Sequence, residues 1–117
     1  MTYILLGLFS AAMMLHAETG YKVRTKYPVP GTGGWDYVTL DGAARRIYIS
    51  HATQVEVVDA DNGKMIGTIA DTPGVHGIAI ASTLKHGFTS NGRENKVSMF
   101  DSETLKLIKK MCMLCFA

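Results

Sequence analysis

Between Ile47 and Ile69 the chain reads IYISHATQVEVVDADNGKMIGTI, and between His86 and Ile108 it reads HGFTSNGRENKVSMFDSETLKLI. Each stretch alternates apolar and polar residues, turns on small polar ones, and alternates again. Alternation with a period of two marks a strand with one buried face. Tyr37–Asp41 aligns with Gly77–Ala81 at an offset of 40 residues, and Tyr48-Ile49-Ser50 aligns with Phe88-Thr89-Ser90 at the same offset. Val55–Asp59 aligns with Val97–Asp101 at an offset of 42, as Ile66 does with Ile108. The second copy has gained two residues in the hairpin Asn91–Lys96. A repeat this short cannot bury its own faces, so it must stack on neighbours.

The repeat dictates an all-β chain. Strands are predicted over Tyr21–Tyr27, Tyr37–Leu40, Arg46–Ser50, Gln54–Val58 and Lys64–Ile69, and then over Gly77–Ala81, Gly87–Ser90, Lys96–Phe100 and Leu105–Lys109. The connectors have chemical reasons to turn. Pro30-Gly31-Thr32-Gly33-Gly34 cannot continue a ladder, because Pro lacks a donor and Gly is loose. In Asp59-Ala60-Asp61-Asn62-Gly63 the Asp and Asn side chains cap a turn, and Asn91-Gly92 serves the second copy in the same way. Four short strands in a unit of about 40 residues are the signature of a β-propeller blade. The expected organisation is two four-stranded antiparallel blades, 35–70 and 75–110, in an incomplete propeller. An N-terminal outer strand and linker over 18–34 precede them, and an atypical tail over 111–117 follows. Val38, Ile47, Ile49, Val55, Val57, Ile78, Ile80, Phe88, Val97 and Met99 are expected to face the packing between blades, with Ile49 more deeply placed than Tyr48.

The first seventeen residues, MTYILLGLFSAAMMLHA, obey a different rule. Ile4–Leu15 is an almost unbroken apolar run ending in Leu15-His16-Ala17 before polar Glu18. It is short for a membrane span, which needs about 20 apolar residues, and reads as a secretory signal over residues 1–17, with an uncleaved N-terminal anchor as the rival reading. Export to the periplasm or the extracellular space is expected, with no membrane attachment after cleavage. The hydrophobic share of 47% and charged share of 19% suit a folded chain. The net charge of +2 is spread without a basic patch, so nucleic acid is not an expected partner. Cys112 and Cys115 lie together near the end and cannot span the body of the fold. Their C-x-x-C spacing lacks a βαβ context and is read as part of the tail.

RRIYISHATQVEVVDADNGKMIGTI resembles the YVTN-type β-propeller repeat, in which a Tyr-Val-Ser/Thr-Asn strand precedes a V-x-V-[IV]-D strand, a turn and an outer strand. The signature stands here as Tyr48-Ile49-Ser50-His51 and as Phe88-Thr89-Ser90-Asn91. The resemblance covers about residues 21–110 and is to secreted, YncE-like propeller proteins. It implies a ring of about seven blades, of which this sequence carries two and one earlier strand. The reading is therefore an N-terminal fragment whose exposed blade faces favour self-association, and a non-functional gene fragment is one alternative.

Asp36 and His76 occupy equivalent places just before the first strand of each unit. The first strand of a propeller lines the central channel, so both are candidate ligand-binding residues at the channel mouth, the other reading being polar residues that cap a loop at a solvated rim. His51 and Asn91 are read as hairpin residues. Asp59–Gly63 begins like a calcium loop, but Lys64 and Ala70 stand where that loop needs Gly and Glu. Gly31–Gly34 has no following helix to present phosphate-binding amides. One histidine in two blades falls short of the three protein ligands of a catalytic zinc. No metal, no cofactor and no catalytic set of nucleophile, base and acid is indicated. A scaffold that binds a small ligand or a protein across one face is the first reading, and a lactonase-like or quinoprotein or copper oxidoreductase-like propeller enzyme is the other. N-terminal sequencing of the exported product is expected to begin at Glu18, and a product that begins at Met1 would exclude cleavage.

Overall fold

The computed structural model describes residues 20–113, and the expected signal sequence lies outside them. Eight strands follow one another: β1 (Trp35–Asp41), β2 (Arg46–His51), β3 (Gln54–Asp59), β4 (Met65–Ile69), β5 (Val75–Ala81), β6 (His86–Asn91), β7 (Lys96–Asp101) and β8 (Leu107–Cys112). They form two four-stranded antiparallel sheets, ordered β1-β2-β3-β4 and β5-β6-β7-β8. Within each sheet every strand pairs with its neighbour in sequence. This all-β arrangement is consistent with propeller-like blades.

The turns are fixed by strand-end aspartates. Asp41 Oδ1 accepts the backbone N–H groups of Ala43 and Ala44 at 3.1 and 3.2 Å. Asp59 does the same for Asp61 and Asn62 at 2.8 and 3.1 Å, so the stretch that begins like a calcium loop is a turn. Asp101 repeats the device with Glu103 and Thr104 at 2.9 and 2.7 Å. The Thr104 backbone N–H is the main reason the Asp101 carboxyl lies below the usual range, because it stabilises the charged form. Ala81 has no carboxylate to offer, and a 3-10 turn, Ser82–Leu84, links β5 to β6. Asn91-Gly92 likewise leads into a 3-10 turn, Gly92–Glu94.

The core lies between the sheets. Tyr48, Val55, Val57 and Ile69 on the first meet Val75 and Phe100 on the second, with Ile78, Ile80 and Leu105 packed at the margin. The rings of Tyr48 and Phe100 are tilted with centroids 6.0 Å apart. Phe100 lies across its strand partner Gly87, where any side chain would collide with the ring. Polar ties cross the same joint. Thr39 Oγ1 donates to the Ile78 carbonyl at 3.0 Å, and Ser82 Oγ donates to Asp41 at 3.3 Å. The Arg46 guanidinium donates to the Ser102 carbonyl, towards which the Tyr48 hydroxyl also points at 3.5 Å.

Two sequence expectations are corrected. Val57 pairs with Tyr48 and Val55 with Ser50, whereas Ile49 pairs with Val38 and Glu56. Directly opposed residues share a face, so Val55 and Val57 lie with Tyr48, and Ile49 lies on the other side. The ten residues assigned to packing therefore divide between two faces, and Tyr48, fully buried, is the deeper neighbour. The second correction concerns Tyr21–Tyr27, which forms no strand. It has no ladder partner, and Tyr21 and Val23 are exposed. Its end is docked, where Tyr27 lies over Gly63 and its hydroxyl donates to the Asp61 carbonyl at 3.2 Å. At the joint between the sheets Leu105 lies over Gly67. Gly67 stands 40 residues after Tyr27 and Leu105 stands 42 after Gly63, so the contact recurs with large and small partners exchanged.

Emptying the Tyr48 site leaves a cavity in a packed joint, so Tyr48→Ala is expected to cost about 3–5 kcal/mol. Ile49→Ala, on the half-buried opposite face, is expected to cost less than half of that. Urea midpoints followed by circular dichroism measure both, and a larger loss for Ile49→Ala would reverse the faces.

Candidate functional site

The two sheets meet at one rim through a relay of backbone hydrogen bonds. Ala52 N–H donates to Gly34 O, Gly74 N–H to Ala52 O, and Gly92 N–H to Gly74 O, at 2.9, 2.9 and 2.8 Å. Gly34 and Gly74 are repeat equivalents, as are Ala52 and Gly92. The relay thus joins hairpin to strand entry within each sheet and across the joint.

Beside it, β1 and β5 carry matching irregularities. The β1–β2 register slips between Trp35 and Val38, and the β5–β6 register slips between Val75 and Ile78. A bulge re-aims the side chains around it, and these contain Asp36 and His76. Two serines hold the bulges. Ser50 Oγ accepts the Tyr37 N–H at 2.6 Å and donates to the Tyr37 carbonyl at 3.2 Å, and Ser90 Oγ accepts the Gly77 N–H at 2.9 Å. The repeat alignment paired these serines without indicating that role.

Asp36 and His76 are brought together: His76 Nδ1 and Asp36 Oδ2 form a hydrogen-bonded pair that bridges the sheets. His76 is 59% exposed and Asp36 40%. Pairs this exposed add little to stability, so the side chains remain available to a ligand. They edge an open depression of about 370 Å3 that is also lined by Trp35, Val75 and Arg93.

The floor beneath Trp35 is a buried polar network that the sequence reading missed. The Trp35 indole stacks on His51 with centroids 3.8 Å apart and an interplanar angle of 7°. His51 is not a simple hairpin residue: it ends β2, is buried, and its Nε2–H donates to the Thr32 carbonyl at 2.9 Å. Its Nδ1 lies 3.4 Å from Glu56 Oε1, and Glu56 is buried as well. Thr68 Oγ1 donates to Glu56 Oε2 at 2.8 Å, and Gln54 donates to Oε1. Buried polar groups need such partners, and Gly31 leaves room for the His51 ring.

At the matching place in the second sheet Asn91 replaces the histidine. Its amide donates to Ser98 Oγ at 2.7 Å and to Glu94 Oε1 at 3.0 Å, while its Oδ1 accepts from Thr89 Oγ1 at 2.8 Å. The Lys110 ammonium, 2.9 Å away, is the main reason the Glu94 carboxyl lies below its usual range. Lys110 also reaches Asp71 in the connection between the sheets at 3.0 Å. Cys112 ends β8 and its thiol is not free, so the second sheet extends past the expected boundary at residue 110.

Among the described residues no group of three or more His, Cys, Asp or Glu side chains is placed to hold a metal ion, and no helix is long and apolar enough to cross a membrane. No family model matches the chain, and no curated protein matches it. Among solved structures, Kuenenia stuttgartiensis hydrazine synthase is similar to it with a TM-score of 0.65 and 21% identity. The likeness covers 80% of this chain and spans 27% of that one. It concerns the fold.

Trp35 is the single tryptophan, so its fluorescence reports on this rim. His51→Ala removes the stacking partner and is expected to shift Trp35 emission to the red as the ring gains water. Unchanged emission would show that the indole is held without His51.

Proposed function

We propose that this chain is an exported YVTN-type β-propeller repeat protein whose two sheets are propeller blades, and that it binds ligands at the rim around Asp36 and His76. The observation that carries this reading is the meeting of two repeat-equivalent residues. Each unit supplies one member of a polar pair, both are set on a bulge, and they meet only if the units stack in register. An exposed pair that hardly stabilises the fold, next to an indole and a guanidinium, suits recognition better than support.

The chemistry of the rim defines the ligand class. Arg93 offers a planar donor fork that matches a carboxylate. The Trp35 ring offers an apolar surface, and the Asp36–His76 pair offers an acceptor and a donor for a polar group. A small carboxylate with an apolar body, or the carboxy-terminal end of a peptide, satisfies all three. The reading is that of a binding scaffold and assigns no reaction.

Titration with a panel of small mono- and dicarboxylates and C-terminal tripeptides, followed by Trp35 fluorescence, tests this. At least one member is expected to bind, and His76→Ala and Arg93→Ala are each expected to weaken it about tenfold, the loss of one hydrogen-bonded contact to a charge. Binding that ignores both substitutions would place the ligand elsewhere, and no response across the panel would remove the carboxylate class.

A further inference from the structure

The packing within the chain defines a surface for a second copy of it. The covered face of the first sheet carries Tyr48, Val55, Val57 and Ile69. Their repeat equivalents are Phe88, Val97, Met99 and Met111, which the strand registers place together on the face of the second sheet turned away from the joint. The covered face of the second sheet carries Ile78, Ile80 and Phe100. Their equivalents, Val38, Leu40 and Val58, share the outer face of the first sheet, where Val38 is 66% and Leu40 58% exposed while Val58 lies buried. Each outer face is therefore a sequence copy of one half of the internal joint, and the two halves are complementary.

We propose that copies of this chain associate head to tail, the Val38–Leu40 face of one docking on the Phe88–Met99 face of the next. The contact repeats between chains the packing that joins the two sheets within one. The receiving face offers a shallow depression of about 320 Å3 lined by Ala79, Phe88 and Val97. Contacts of this kind join different patches, so they build closed rings or open filaments rather than a two-fold dimer.

The joint between chains is weaker than the internal one for a visible reason. Thr39 and Tyr48 direct hydroxyls across the internal joint, but their equivalents are Ala79 and Phe88, which have none. Association thus rests on apolar contact and is reversible on dilution. It also lifts Tyr27 from Gly63, because Met111 and its neighbours on β8 take the place of the segment docked there. The hydrogen bond from Tyr27 to Asp61 is given up with it.

Sedimentation velocity on the full chain over a concentration series tests the proposal. The wild-type protein is expected to show species at multiples of 12.7 kDa. Val38→Lys spoils one face and Met99→Lys the other, so each variant alone is expected to remain monomeric at all concentrations. Mixed in equal amounts, they pair through their remaining intact faces into a dimer and go no further. A monomeric wild type, a single variant that associates like the wild type, or a mixture that stays monomeric would each overturn the proposal. Association driven by the apolar residues before position 20 is recognised because neither substitution changes it.

Discussion

Everything in this structure hangs on one joint, the contact of the Tyr48 face of the first sheet with the Phe100 face of the second. Neither sheet closes a core alone, since a four-stranded meander has two faces and no third layer to cover them. The apolar set at the joint supplies the drive to stack. Apolar contact alone fixes register poorly. Register comes from the ties at its edges, the Thr39 hydroxyl on Ile78 and the Arg46 guanidinium on Ser102, and from the backbone relay through Gly34, Ala52, Gly74 and Gly92. The Thr39 and Arg46 ties and the Gly74–Ala52 link of the relay each join a donor of one sheet to a backbone acceptor of the other, so a slip of one residue would leave polar groups unpaired.

The rim inherits its geometry from that register. Asp36 belongs to β1 and His76 to β5, and they can meet only because the strands carrying them are held at one pitch. Their bulges are matched by matched serines, Ser50 and Ser90, so the repeat builds the site twice and the joint brings the halves together. Trp35 adds what the second unit lacks. Its equivalent is Val75, a core residue, so the aromatic wall belongs to the first unit alone.

Much of this was legible in the sequence. The strands after residue 34, the chain-order pairing and the aspartate turns follow from period-two alternation and from Asp and Asn at strand ends. Asp36 and His76 stood out because the repeat aligned them. Three things were not legible, each for a physical reason. The pattern V-E-V-V is apolar on both sides of the strand, so the deeper face cannot be read from it, and alternation alone does not rank Tyr48 above Ile49. Tyr21–Tyr27 alternates like a strand, but a strand needs a partner, and alternation cannot show whether one is present. The His51–Glu56 contact joins residues on adjacent strands across a hairpin, and nothing in either residue type separates a buried pair from two surface ones.

The contrast between His51 and Asn91 shows what repetition leaves free. Both end the second strand of their sheet, both are buried, and both must satisfy polar groups without water. The first solution uses an imidazole and a carboxylate, and it needs Thr68, Gln54 and the Thr32 carbonyl to complete it. The second uses a neutral amide with Ser98 and Thr89, and it reaches outward to Glu94. Backbone geometry sets the place and the need for partners, and it leaves the chemistry open. A small amide closes the second hairpin on itself, whereas the broad, flat imidazole of the first presents a ring face on which an indole can lie. That substitution is what turns one copy of a structural position into the floor of a recognition surface.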